Sequence, residues 1–179
     1  MSQVAGNYGQ ALFDLAKEEQ LDHEILQQLE ALQESFAQEP DFISLLSAPN
    51  LPKQERCDIL DRSFRDSVHI YVLNFLKILT EKGYMRKFPD CCKTYRDLYN
   101  RHHGILPVQV VSAVELQQTQ KDKLTEKLAA ITGKTVQLSC KVDPAVLGGV
   151  RLDYDGKQVD GTVQGRLDAV RDLLKNTTL

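Results

Sequence analysis

Apolar residues recur every three or four positions through the first hundred residues or so, and every second position in much of the remainder. The first spacing is that of helices with one face turned inward, and the second is that of half-buried strands. Val4, Tyr8, Ala11, Leu12, Leu15 and Ala16 form the first helical stripe, with Phe13 off its centre. Asp22 is placed to cap a second helix, whose stripe is Ile25, Leu29, Leu32 and Phe36. Pro40 ends that helix or opens a short turn. Pro49 and Pro52 punctuate a joint, after which Cys57, Leu60 and Phe64 face inward on another helix. Ser67 is expected to cap the next helix, over 67–82. There Val68, Tyr71, Val72, Phe75 and Leu79 make one stripe, and Ile70, Leu73, Leu76 and Ile78 make most of the remaining circumference apolar too. A helix that is apolar nearly all round must be covered nearly all round, in a small bundle partly by a second molecule. Gly83 ends it, and a last helix runs from Lys87 to His102.

The pattern changes after Gly104. Residues 105–115 are rich in β-branched side chains and predict a strand. Gln117 to Ile131 is helical, with Leu124, Leu128 and Ile131 on one side. Val136, Leu138, Cys140 and Val142 alternate with polar residues, which predicts a strand with those four inward. Gly148 and Gly149 precede a short strand, and Asp155-Gly156 is a hairpin-turn signal leading into the return strand. Thr162 to Leu174 predicts a final helix with Val163, Leu167, Val170, Leu173 and Leu174 apolar. The fold class is therefore α+β: an N-terminal six-helix bundle over residues 1–104, then a small β-α-β-β-β-α domain over 105–179.

Composition narrows the function. With 22 Lys and Arg against 25 Asp and Glu, the net charge is −3, and no bulk positive charge exists to release counterions from nucleic acid. The first 104 residues hold 12 basic and 16 acidic side chains, and the remainder 10 and 9. The C-terminal domain contains one aromatic residue, Tyr154, too few for a base-stacking platform. No apolar run approaches the ~20 residues of a spanning helix. The opening residues lack the pattern of a secretory or transit peptide, which favours a bacterial protein. Cys57, Cys91, Cys92 and Cys140 are irregularly spaced and read as reduced thiols.

Catalytic motifs are not legible. Lys157 follows glycines without the spacing of a phosphate loop, and Gln158 stands where a hydroxyl belongs. Asp153, Asp155 and Asp160 flank a turn without calcium-loop spacing. Cys91, Cys92, His102 and His103 lack the paired spacing of a zinc site. Cys140 reads as an inward, inert thiol on a strand. A small enzyme and an RNA-binding module remain as alternatives to a binding protein, with no constellation to support either.

Residues 142–174 carry a denser signal. Asp143, Gly148 and Gly149, a hairpin, and then Asp160, Gly161, Thr162, Gly165, Arg166 and Leu167 resemble the C-terminal signature of the ATP synthase delta subunit family. Its mitochondrial members are the oligomycin-sensitivity-conferring proteins. The opening helix, with Tyr8, Ala11, Leu12 and Phe13, and the 72–90 stretch resemble the family as well. The resemblance implies a stator connector with no catalytic residue, metal or cofactor, peripheral at the cytoplasmic face of the cell membrane. Its helical domain would bind the N-terminal helices of the alpha subunits at the top of F1. The docking groove would lie between the first and fifth helices, here Tyr8, Ala11, Leu12 and Leu15 opposite Leu73, Leu76 and Leu79. Its second domain would bind the C-terminal ends of the b subunits, and the nine signature residues would serve as scaffold.

Overall fold

In a computed structural model, which describes residues 3–48, 50–144, 146 and 148–161, helices occupy the first part of the chain and a mixed sheet the second. The elements are α1 (Gln3–Glu18), α2 (Asp22–Gln38), α3 (Pro40–Leu46), α4 (Lys53–Phe64), α5 (Ile70–Glu81), a 3-10 turn (Met85–Lys87), α6 (Phe88–His102), β1 (Ile105–Ser112), α7 (Gln118–Thr132), β2 (Thr135–Val142), β3 (Val150–Tyr154) and β4 (Lys157–Asp160). The expected final helix, and with it Thr162, Gly165, Arg166 and Leu167, lies outside the described residues. Contacts divide the chain between Tyr99 and Asn100, inside the last turn of α6 rather than at Gly104.

The helical unit is organised by one apolar core. Its centre is aromatic: Phe36 stacks on Phe42 at 5.6 Å between ring centroids and meets Phe64 and Phe88 edge-on at 5.9 and 5.2 Å. Such edge-to-face and offset pairs add to the burial of the rings themselves. α1 turns Ala5, Gly9, Leu12, Phe13 and Ala16 inward, a face rotated from the expected stripe. Phe13, off the stripe's centre in the sequence, is buried against Tyr95 with centroids 5.4 Å apart. Gly9 explains the rotation. A Cβ there would lie 2.7 Å from the Cys91 carbonyl oxygen and 2.9 Å from Thr94 Cβ, so α1 presses its small-residue side against α6.

The helix ends differ from the expected caps. Asp22 is the first residue of α2 rather than its cap, and its carbonyl accepts a 2.9 Å hydrogen bond from the Tyr95 hydroxyl. α5 begins at Ile70, capped by His69, whose Nδ1 accepts from the Tyr71 N–H at 3.3 Å. The His69 N–H donates to Gln28 on α2 at 2.7 Å. Ser67 lies before the α5 cap, in a separate turn where its N–H and that of Val68 both donate to the Phe64 carbonyl. At the far end Gly83 takes φ 74°, and the Tyr84 N–H returns to the Leu79 carbonyl at 2.7 Å. This left-handed closure satisfies carbonyls that a helix end leaves open.

The second unit is a four-stranded sheet of order β2-β1-β3-β4. β1 and β2 are parallel, joined through α7, and β3 and β4 add as antiparallel strands. Asp155 and Gly156 both take positive φ, 48° and 71°, which matches the twist of a two-residue hairpin. Leu106, Val108, Val110 and Leu128 form the core, with Leu124, Leu138 and Leu152 packed against it. β2 is an edge strand, and only Val136 and Leu138 of its apolar set reach that core. Cys140 is exposed rather than inward, and Val142 and Ile131 are exposed too.

A candidate docking face on the helical unit

The groups with chemical potential are placed for packing. Burial pushes the Cys91 thiol up to about 11, with the adjacent Asp90 carboxylate adding to it, and burial raises Cys92 further. Such thiols stay protonated and are poor nucleophiles. Among the described residues no group of three or more His, Cys, Asp and Glu is placed to hold a metal. His23 lies against Tyr99, its Nδ1 3.0 Å from the hydroxyl.

The residues expected to line a groove divide sharply. Leu73, Leu76 and Leu79 are buried in the bundle's own core, and so is Leu12. They offer no surface, which corrects the expected groove wall. The reason lies in the neighbours of α5, which packs against α2, α4 and the 3-10 turn. Val72, Leu73, Phe75, Leu76, Leu79 and Thr80 are all buried, and Phe75 also meets Phe88 of α6 at 6.5 Å between ring centroids.

α5 leaves to solvent the strip Ile70, Asn74, Ile78 and Glu81, at i, i+4, i+8 and i+11, with Ile70 53 % and Ile78 43 % exposed. Lys77 beside it is held to Asp61 on α4 at 2.6 Å. On α1, Val4 and Tyr8 are half-buried and Ala11 and Leu15 exposed, again one strip at helical spacing. The two helices are tied by aromatic contact. The closure at Gly83 turns Tyr84 back so that its ring lies 6.0 Å from that of Tyr8. The middle of the α1 strip is thereby joined to the C-terminal end of α5.

Ile70 and Ile78 are thus the apolar residues that α5 leaves exposed. The signal was present in the sequence: Asn74 between them and Lys77 and Glu81 beside them mark the outward side of α5.

The described signature residues hold backbone in place. The Asp143 N–H donates to the Ser112 carbonyl at 2.9 Å, and the Gly161 N–H donates to Val150 at 3.0 Å. Gly148 and Gly149 take φ 70° and 82°, which favours glycine. Asp160 sits opposite Arg151 in the β3–β4 ladder, and Arg151 lies 3.5 Å from Asp153.

Comparison with known proteins addresses the chain as a whole. A sequence profile of the family described as ATP synthase delta (OSCP) subunit matches residues 4–174. The ATP synthase subunit delta of Alkaliphilus oremlandii is 33 % identical over 171 residues, covering 96 % of this chain and 95 % of that protein. The subunit delta of Moorella thermoacetica is 32 % identical over 172 residues, covering 96 % of each. The fold is shared with a chain of the Toxoplasma gondii mitochondrial ATP synthase hexamer, at TM-score 0.78 and 19 % identity over 97 % of this chain and 98 % of that one. A chain of the Polytomella F-ATP synthase superposes at TM-score 0.53 over 57 % of this chain and 90 % of that one. A match that runs over residues 4–174, with relatives more than 30 % identical along nearly the whole chain, places the chain in the ATP synthase delta (OSCP) subunit family, the non-catalytic connectors of the ATP synthase stator.

Proposed function

We propose that the apolar strips of α1 and α5 together seat the amphipathic N-terminal helix of an alpha subunit. The observation that carries this reading is the exposure of Leu15, Ala11, Ile70 and Ile78 on two helices joined through Tyr8 and Tyr84. An amphipathic helix laid across such a face buries its apolar stripe, a recurring recognition mode. Burial at ~25 cal/mol per Å² supplies the holding energy before ordering costs are subtracted. The second unit receives the C-terminal ends of the b subunits, and the protein is held peripherally at the cytoplasmic face of the membrane. No described helix is long and apolar enough to cross a membrane. The connector so formed transmits no chemistry. It resists rotation of the head while the rotor turns, which calls for slow dissociation rather than turnover.

The test replaces Ile78 and Leu15 with Asp, singly and together, and measures binding to a peptide from the alpha-subunit N-terminus. These side chains lie outside the core, so far-UV circular dichroism is expected to stay unchanged. Affinity is expected to fall at least about tenfold for each, or ~1.4 kcal/mol. Unchanged affinity in the double variant overturns the docking face. Cys140, the exposed one of the four cysteines, supplies a handle for the second contact. A photo-cross-linker on Cys140 is expected to capture b subunit in the assembled enzyme.

A further inference from the structure

A second surface of the helical unit has its own chemistry. A cleft of about 500 Å³ opens where α2, α3 and α4 meet, lined by Ser35, Phe36, Glu39, Asp41, Phe42, Leu45 and Phe64. Its floor is the stacked and edge-on trio Phe36, Phe42 and Phe64, and Leu45 stands 42 % exposed at its side. Glu39 and Asp41 are both exposed at the rim, and among the described residues no lysine or arginine lines the cleft. The surrounding chain is acidic on its α2–α3 side, whereas α4 sets exposed Arg62 and Arg65 on either side of Phe64. Residues 18–52 carry eight acidic side chains and no Lys or Arg. Glu30 among them is paired with Arg96 at 3.0 Å.

An aromatic floor under a carboxylate rim selects its occupant. An apolar side chain is drawn to the rings by burial, and a cation beside it is drawn by the acidic field and by the ring faces. A neutral or acidic amphipathic segment gains the first and loses the second. We infer that this cleft is a docking site for a basic amphipathic segment of a partner protein, one that inserts a bulky apolar side chain between Leu45 and Phe64 and sets Lys or Arg against Glu39 and Asp41. The site is separate from the α1–α5 strips and does not depend on what they bind.

The experiment uses the full chain and two fluorescein-labelled 14-residue probes of equal helical amphipathicity, one built of Leu and Lys and the other of Leu and Glu. Three variants are compared with the unaltered protein by fluorescence anisotropy: Leu45→Arg, the double variant Glu39→Lys with Asp41→Lys, and Ile78→Asp on α5. Far-UV circular dichroism verifies each fold. The Leu/Lys probe is expected to bind saturably and to weaken at least about tenfold with Leu45→Arg and with the rim reversal. Ile78→Asp is expected to remove none of the probe binding that Leu45→Arg removes. Binding is expected to weaken as salt rises, and the Leu/Glu probe is expected not to bind at the cleft. Glu39 and Asp41 flank the start of α3, so Leu45→Arg stands as the decisive variant if the rim reversal disturbs that helix. Full binding by Leu45→Arg overturns the inference, as does loss of binding in Ile78→Asp alone. Concentration-dependent self-association that Leu45→Arg abolishes also overturns it, because the occupant is then a second copy.

Discussion

Gly9 and Gly6 stand three residues apart on α1 and make opposite demands. A Cβ at Gly9 would meet the Cys91 carbonyl oxygen at 2.7 Å, whereas one at Gly6 meets nothing within 4 Å. Gly9→Ala is therefore expected to destabilise the protein by about 1–3 kcal/mol through overpacking. Gly6→Ala is expected to stabilise it by about 0.5–1 kcal/mol, by removing backbone freedom from the unfolded chain. Urea denaturation of the two variants checks both signs. The thiols give a pH dependence. The folded pKa of Cys91 lies at about 11 against an ordinary value of 9.0, so between those values the folded state holds a proton that the unfolded state has released. Stability contributed by Cys91 is thus complete below about pH 9 and is lost as pH rises toward 11; Cys57, raised by burial and by Glu81, adds in the same direction. Denaturation midpoints that fall from pH 8.5 to pH 10.5 are the expected result. At pH 8 iodoacetamide is expected to label Cys140 quickly and the other three only on unfolding.

A helix can be legible while its ends are not. The spacing of Ile25, Leu29, Leu32 and Phe36 announces α2, and all four are buried. α5 starts at Ile70 rather than at Ser67: Ser67 is a good cap in isolation, but local preference yields when the chain is needed elsewhere. Here the backbone of Ser67 and Val68 is engaged with Phe64, and Gln28 from another helix takes the His69 N–H. Ser67→Ala is expected to change stability by less than about 0.5 kcal/mol. His69→Ala is expected to cost about 1 kcal/mol by removing the cap, measured by thermal unfolding. Arg56 on α4 carried no signal at all. It is buried, with Nη1 donating to the Leu46 carbonyl at 3.0 Å, so it closes the end of α3 from the next helix. Only the fold brings those two groups together, and a sequence window reads Arg56 as a solvated charge.

The division between Tyr99 and Asn100 separates two cores. The helical core draws on residues up to Tyr99 and the sheet core on Leu106 onward. A fragment ending at Gly104 is accordingly expected to fold alone, with a cooperative thermal transition and helical circular dichroism. It is also expected to retain the alpha-peptide affinity proposed for the α1–α5 strips. Non-cooperative melting of the fragment would show that the helices need the sheet unit for stability.

Patterning along the sequence announced α1, α2, α4, α5, α6, β1, α7 and β2 in their correct order of type, and Asp155-Gly156 announced the hairpin between β3 and β4. Both signals are local, carried by residues within one turn or one strand of each other. The C-terminal signature, equally local, announced the family. Which side of each element meets solvent was settled by neighbours distant in sequence. α2, α4 and the 3-10 turn consume Leu73, Leu76 and Leu79 and leave Ile70 and Ile78 outside. The sheet order puts β2 at an edge, so Cys140 lies open. An apolar residue carries the same free energy of burial whichever neighbour covers it, so a helix apolar on every side cannot name its partners until the packing of the others is complete.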